Sequence, residues 1–328
     1  MTIKTDLRPD YYEIFPSFSR EIIQQRLNLF PFHHATLLGL RNIITALSLA
    51  EGVEFVKRFF KCQLSDHRAM LVEVLRRVGI TARLSQAIGR VQREGFAPPE
   101  YLSFCYINHS LLFDNLSCLS APGLVALMIE RLRPSRGHQI LEVGIGSGYH
   151  AACLSESLDN DCQIYGIELN HSYLEWGRSA LLRAGYDRIQ TLDGDGCAGW
   201  PASIEFDRIY MTNSLIRSFP PRLIEQLRDG GLIQGVRALD RKEFESEGDQ
   251  SWLRKTFGNY DSYLNGDWGS YCCLVTCLKE NNTLKEVDRL YDVTFTPFQH
   301  DRLAYSSEYT NPFLELSRIL KSFGIVAE

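Results

Sequence analysis

Residues Ile140 to Ala152 read ILEVGIGSGYHAA, a short apolar run that stops in a glycine-rich turn and reopens as a helix. Gly144, Gly146 and Gly148 occupy the turn. Glycine at such a place lets the backbone take conformations closed to other residues and approach a ligand closely. The spacing narrows the choice of ligand. A phosphate loop needs a Lys after its last glycine, and none follows here; a dinucleotide fingerprint needs G-x-G-x-x-G, whereas these glycines fall at every second position. The pattern E-x-G-x-G-x-G puts Glu142 near the strand end with no cation in the turn. That suits a ligand carrying positive charge better than a pyrophosphate.

Outward from this turn, strand and helix patterns alternate. Helical APGLVALMIERL precedes the strand; after it come QIYGIEL, SYLEWGRSALLRAG, RIQTLDGD, FDRIYMTNS, PRLIEQLRDG as a helix, and GLIQGVRAL. The alternation predicts βαβ units wound into a doubly wound, mostly parallel, Rossmann-like α/β sheet. SYCCLVTCLK and RLYDVTFTPF are expected as an antiparallel pair on its edge, with a polar excursion over Asp240 to Ser262 ahead of them. From Phe18 to about Leu102 apolar residues recur at helical spacing, as in REIIQQRLNLF, LRNIITALSLAEGVEFVKRFF and MLVEVLRRVGI. The expected division is a helical extension over 1–66, further helices and a loop over 67–120, the ligand-binding core over 121–300, and a tail over 301–328 with a helix in PFLELSRILKSFG.

Two carboxylates fall at strand ends beside the turn. Glu168 closes the second strand about twenty residues after the glycines, where an acidic residue accepts hydrogen bonds from ribose hydroxyls in nucleoside-binding folds of this kind. Asp195, followed by Gly196 in LDGDG, ends the third strand within reach of an adenine edge. The plainer reading of both is that they cap the turns or helices that follow.

Composition excludes several classes. The 328 residues are 45% hydrophobic and 23% charged, as in an ordinary globular protein. A net charge of -5, with Lys and Arg scattered, gives no footprint for a nucleic-acid partner. No apolar run approaches the roughly 18 residues of a membrane span, and MTIKTDLRPD lacks a signal peptide's apolar stretch, so a cytoplasmic protein with no membrane partner is expected. The nine cysteines sit mostly in apolar segments and read as small buried hydrophobes. Cys272, Cys273 and Cys277 suggest a metal only superficially: adjacent strand residues point to opposite faces, no His pair accompanies them, and no metal is expected.

Several segments together resemble the protein-L-isoaspartate (D-aspartate) O-methyltransferases. The likeness runs from about Met70 to Phe298. It is carried by RLSQAIGRVQREGFAPPEYLSFCY, LSAPGLVALMIERL, ILEVGIGSGYHAA, YDRIQTLDGDGCAGWP, FDRIYMTNS, PPRLIEQLRDGGLI and YDVTFTPF, the GSGY and GDGxxGWP pieces being the distinctive ones. The resemblance implies a class I methyltransferase fold and S-adenosyl-L-methionine as cofactor, held by Glu142, Gly144, Gly146, Gly148, Glu168, Asp195 and Gly196. It implies a peptide or protein substrate with an isoaspartyl carboxylate as acceptor, hydrogen-bonded by Ser120. His109 and Asn213 are weaker substrate-contact candidates, and His150 reads as structural. Ser120 also stands where a helix cap would, just ahead of Pro122. A carboxylate is ionised at neutral pH, its ordinary pKa being about 4, so the transfer needs alignment and exclusion of water rather than a base.

The departures are local. Where the family usually reads Q-T-I-S-x-P-H, this chain has Ser117 to Gly123 as SCLSAPG, without the Thr and the His; the small residues after the fourth strand are replaced by Asn213 to Arg217, NSLIR. Substrate-facing parts differ while cofactor-facing parts persist. Two other readings follow: methylation of a carboxylate on a modified ribosomal peptide, with the N-terminal helices docking a peptide leader or partner protein, and a silent cofactor-binding adaptor.

Overall fold

The computed structural model describes residues 64–77, 79–98, 102, 105–106, 108, 110–112, 117–215, 218–239 and 271–291. In chain order the elements are α1 (Leu64–Arg77), α2 (Ala82–Arg90), β1 (Leu111–Leu112), β2 (Cys118–Leu119), α3 (Pro122–Leu132), β3 (Gln139–Val143), α4 (Tyr149–Ser157), β4 (Gln163–Glu168), α5 (His171–Arg183), β5 (Gln190–Asp193), β6 (Phe206–Leu215), α6 (Pro221–Gln226), β7 (Leu227–Leu239), β8 (Tyr271–Glu280) and β9 (Thr283–Tyr291). One seven-stranded sheet has the order β5-β4-β3-β6-β7-β8-β9, and β1 pairs with β2 in a small hairpin. The strands from β5 to β7 are parallel. β8 runs antiparallel to β7, and β9 to β8. This is the expected doubly wound α/β sheet with an antiparallel edge.

Side-chain alternation along the strands builds a core on each face. Ile140, Ile164, Tyr210, Val236, Leu274 and Leu290 face one way, into a core shared with Leu71, Leu75, Leu84 and Ile88 of the N-terminal helices and with α3, α4 and α5. Leu141, Val143, Ile167, Ile209, Met211, Ile233 and Val275 face the other, against Trp200, Phe219 and Leu223. β3 is buried on both faces, as befits a central parallel strand. α3 starts with Pro122 in its first turn and ends at Arg133, which turns left-handed (φ 49°) and donates its N–H to the Ile129 carbonyl. Asn170 caps α5, its side chain accepting the N–H groups of Ser172 and Tyr173.

Two boundaries differ from expectation. PRLIEQLRDG reads as one helix, yet α6 stops at Gln226 and Leu227 already pairs with Phe206. Lys279 on β8 explains the early stop: its buried ammonium donates to the carbonyls of Ile224 (2.7 Å) and Leu227 (2.6 Å), fixing the last turn from outside. The register then jumps to Arg208 opposite Leu232, and the extra residues of β7 bulge around Gly230 at φ 77°. At the edge, β9 begins at Thr283 rather than near Arg289, because Asn281 and Asn282 both take positive φ (51° and 61°) in a two-residue hairpin turn. Cys273 and Cys277 lie in the core as hydrophobes, burial pushing the Cys277 thiol up to about 11. The expected helices before residue 64, the excursion over Asp240 to Ser262 and the C-terminal helix lie outside the described residues.

Candidate functional site

The strand order reverses direction on the two sides of β3, between β4 and β6, and a crevice opens there at the carboxyl ends of the strands. The glycine turn lies in its floor. Gly144, Gly146 and Gly148 all have positive φ (89°, 48° and 80°), conformations that side chains resist. The Gly144 and Ile145 amides donate to the Ile167 carbonyl at 2.8 and 3.2 Å, which ties the turn to β4. The crevice side is open. A Cβ built on Gly146 would meet only the Gly144 carbonyl, 3.9 Å away, and one on Gly194 across the crevice would meet nothing within 4 Å.

Glu168 is the organising carboxylate. One oxygen accepts the Gly146 N–H (3.0 Å) and the other the Asn170 N–H (3.0 Å), so the turn and the start of α5 are both hung on it. Burial pushes its carboxyl above the ordinary value of 4.5 against the pull of those backbone amides, with nearby Asp193 raising it further. Asp195 is exposed and caps the short 3-10 turn over Gly196–Ala198, accepting the Cys197 N–H at 2.9 Å. Asp195 therefore has the capping role that stood as the plainer alternative to its expected place at the adenine edge. Gly196 brings this turn against β3, since a Cβ there would overlap Val143.

Glu142 sits differently from the others. It is 1% exposed, behind the turn rather than in the open crevice, and accepts the Tyr210 hydroxyl at 2.7 Å. Burial pushes its carboxyl well up. The register explains the placement: Glu142 lies opposite Tyr210 on β6, and both point into the helical face. His150 packs against the Tyr210 ring, 4.6 Å between centroids with the planes tilted by 42°, and burial lowers its pKa to about 3, so it is a neutral packing group, as expected.

Ser120 follows β2 and is partly buried. The α3 N-cap is Ala121, with no side-chain cap bond, so Ser120 does not cap this helix. Instead Asn108, fifteen residues before Gly123, accepts the Gly123 N–H at 2.7 Å. Asn213 is on β6, with its backbone described. His109 lies outside the described residues.

Three further residues shape the crevice without a plain signal in the sequence. Thr212 donates its hydroxyl to the carbonyls of Val143 (3.1 Å) and Gly144 (2.6 Å), pinning the end of β3 to β6. Gly177, inside α5, lets that helix lie on the turn: a Cβ there would overlap the Gly146 carbonyl. Gln226 bonds both the N–H and the carbonyl of Trp200, at 2.9 and 2.7 Å, and so fixes the GWP segment. Thr212 is foreshadowed by its strand-end place in FDRIYMTNS; Gly177 and Gln226 act across the fold and leave no local mark.

The fit to a nucleoside cofactor with a cationic sulfur rests on these features. The turn is open at Gly146 and flanked by Glu168, Asp193 and Asp195, with no Lys or Arg in it. A carboxylate at the second strand end accepts from ribose hydroxyls, and the acidic surround favours positive charge.

Comparison with known proteins agrees. The family model described as protein-L-isoaspartate(D-aspartate) O-methyltransferase matches residues 66–246. A protein-L-isoaspartate O-methyltransferase from Methanopyrus kandleri is 37% identical over 167 residues, 50% of this chain and 74% of that protein. One from Dictyoglomus thermophilum is 33% identical over 220 residues, 65% of this chain and 97% of that protein. Among solved structures, a beta-aspartate methyltransferase from Plasmodium falciparum, determined with S-adenosyl-L-homocysteine, superposes with a TM-score of 0.55 at 19% identity, covering 70% of this chain and 97% of its own. It supports the fold.

Proposed function

Because this chain belongs to the protein-L-isoaspartate (D-aspartate) O-methyltransferase family, we propose that it methylates the side-chain carboxylate of isoaspartyl residues in peptides or proteins. It is an S-adenosyl-L-methionine-dependent O-methyltransferase. The observation that carries the reading is the Glu168-anchored glycine turn, which stands inside the matched residues and is open at Gly146 beside acidic residues. The peptide-tailoring and silent-adaptor readings draw no support from these relatives.

In this reading Glu168 accepts the ribose hydroxyls, the turn over Gly144, Gly146 and Gly148, open at Gly146, receives the amino-acid portion, and Asp195 with Gly196 borders the base. Glu142 supports the turn from behind through Tyr210. The bound cofactor supplies a methyl group on a positively charged sulfur. The chain's own task is to hold the acceptor carboxylate, already ionised, in line and out of water. Ser120 takes that part in this scheme, its hydroxyl donating to the acceptor carboxylate. No described histidine or carboxylate is needed as a base. Asn213, at the crevice end of β6, borders the acceptor in the same scheme. A cytoplasmic place of action belongs to the proposal and is supported by the unpaired, buried thiols of Cys105, Cys153, Cys273 and Cys277. Among the described residues no helix is long and apolar enough to cross a membrane.

The test is transfer of labelled methyl from S-adenosyl-L-methionine to a short isoaspartyl peptide, beside the same peptide with normal aspartate, scored as base-labile methanol. Selective labelling of the isoaspartyl peptide is expected. Equal labelling of both, or of neither while the cofactor binds, would remove isoaspartate as the acceptor.

A further inference from the structure

The loop that presents Ser120 is closed by a contact that neither the glycine turn nor the cofactor explains. β1 and β2 pair as Leu111 with Leu119 and Leu112 with Cys118, which brings the chain just before the hairpin against the chain just after it. Asn108 therefore meets Gly123, the second residue of α3. Its Oδ1 accepts the Gly123 N–H at 2.7 Å, a helix-end donor that no side chain at the Ala121 N-cap reaches. The two positions are also sterically matched. A Cβ on Gly123 would lie 2.7 Å from both Nδ2 and Oδ1 of Asn108 and 3.1 Å from its Cγ, closer than atoms tolerate. Asn108 thus fills the place that a side chain at position 123 would take, the position where the resembled family usually carries histidine. Between the two partners, with no cap to form, stands Ser120.

We propose that Asn108 is a positioning residue for the methyl acceptor: capping α3 from outside the helix, it fixes Ser120, and the Asn108–Gly123 pair sets how tightly the acceptor is held. The proposal rests on the reading of Ser120 as the acceptor's hydrogen-bond donor. It separates two parts of the site. Glu168 and the glycine turn hold the cofactor without Asn108, so the acceptor should respond to changes at Asn108 and the cofactor should not.

The experiment compares the wild-type chain with Asn108→Ala, Asn108→Asp, Gly123→Ala and the double variant Asn108→Ala/Gly123→Ala. Three quantities are read: kcat/KM for the isoaspartyl peptide, Kd for S-adenosyl-L-homocysteine, and hydrogen exchange of the Gly123 amide by NMR. Asn108→Ala is expected to lower kcat/KM by about tenfold or more, to leave the cofactor Kd within about twofold, and to expose the Gly123 amide. Asn108→Asp keeps the acceptor oxygen and should retain both kcat/KM and Gly123 protection. Gly123→Ala should match Asn108→Ala, and the double variant should be no worse than either, because both substitutions break one contact. Losses that multiply, a kcat/KM unmoved by Asn108→Ala, or loss of cofactor and acceptor together would overturn the proposal. A wild-type chain that methylates no isoaspartyl peptide would instead sink the functional reading and with it the role in acceptor binding, while Gly123 exchange would still report the cap by itself.

Discussion

At the scale of single residues, Glu168 does two jobs with one carboxylate. Its oxygens hold the Gly146 and Asn170 amides and so tie the turn to the start of α5. Replacing it by alanine frees the turn from its anchor and, under the proposed cofactor role, removes charged hydrogen bonds to ribose. Glu168→Ala should weaken S-adenosyl-L-homocysteine by roughly 1 to 3 kcal/mol, read by calorimetry. The pH dependence has a definite sign. Burial raises this carboxyl above its ordinary 4.5, and only the ionised form accepts from two hydroxyls. Cofactor affinity should be full above the raised pKa and fall as pH drops through it, the fall starting above the ordinary carboxylate range. Glu168→Ala should flatten that fall. A wild-type affinity that holds level down through the ordinary range would contradict the assignment.

Among elements, the contacts that matter join pieces far apart in the chain. Gly177 is the clearest: α5 can lie on the glycine turn only because position 177 has no side chain, and the atom it would strike is a backbone carbonyl that cannot swing aside. Gly177→Leu should push α5 off the turn and weaken cofactor binding by about tenfold, with helix content by circular dichroism unchanged. Lys279 plays the same part for α6. Lys279→Met removes the ammonium that donates to the Ile224 and Leu227 carbonyls, and should cost about 1 to 3 kcal/mol of stability in urea unfolding. These pairs also mark what could be read beforehand. The alternation of apolar strands and amphipathic helices, the turn at Gly144 to Gly148 and the carboxylate at Glu168 are local patterns, and each stands where it was expected. The early end of α6, the start of β9 and the partners of Asn108, Gly177 and Gln226 depend on residues far along the chain, which periodicity does not reach. Glu142 shows the boundary between the two. Its place in the motif was legible, but its retreat behind the turn follows from the β3–β6 register that faces it with Tyr210.

For the molecule as a whole, the cores join what the sequence divides. Leu71, Leu75, Leu84 and Ile88 of the N-terminal helices share a core with Ile140 and Tyr210 of the central strands and with Leu274 and Leu290 at the sheet edge. Arg93, fully buried, carries the link toward the site: its guanidinium lies 4.5 Å over the Tyr149 ring at the start of α4, and it donates to the Cys105 carbonyl on the way to the Ser120 loop. A ligand that binds the carboxyl ends of β3 and β4 should therefore stabilise the helices of residues 64–90 as well as the crevice. At a hundredfold excess over its Kd, a ligand specific for the native state contributes about 2.7 kcal/mol, which should raise Tm by roughly 4 °C in a chain of this size. Hydrogen exchange should show added protection in α1 and α2 together with β3, β4 and α5, and at the same ligand concentration Glu168→Ala should shrink both effects. Protection that stopped at the crevice, leaving α1 and α2 exchanging as before, would mean that the shared core does not act as one cooperative unit. The acceptor loop would then take its position from Asn108 and its neighbours alone.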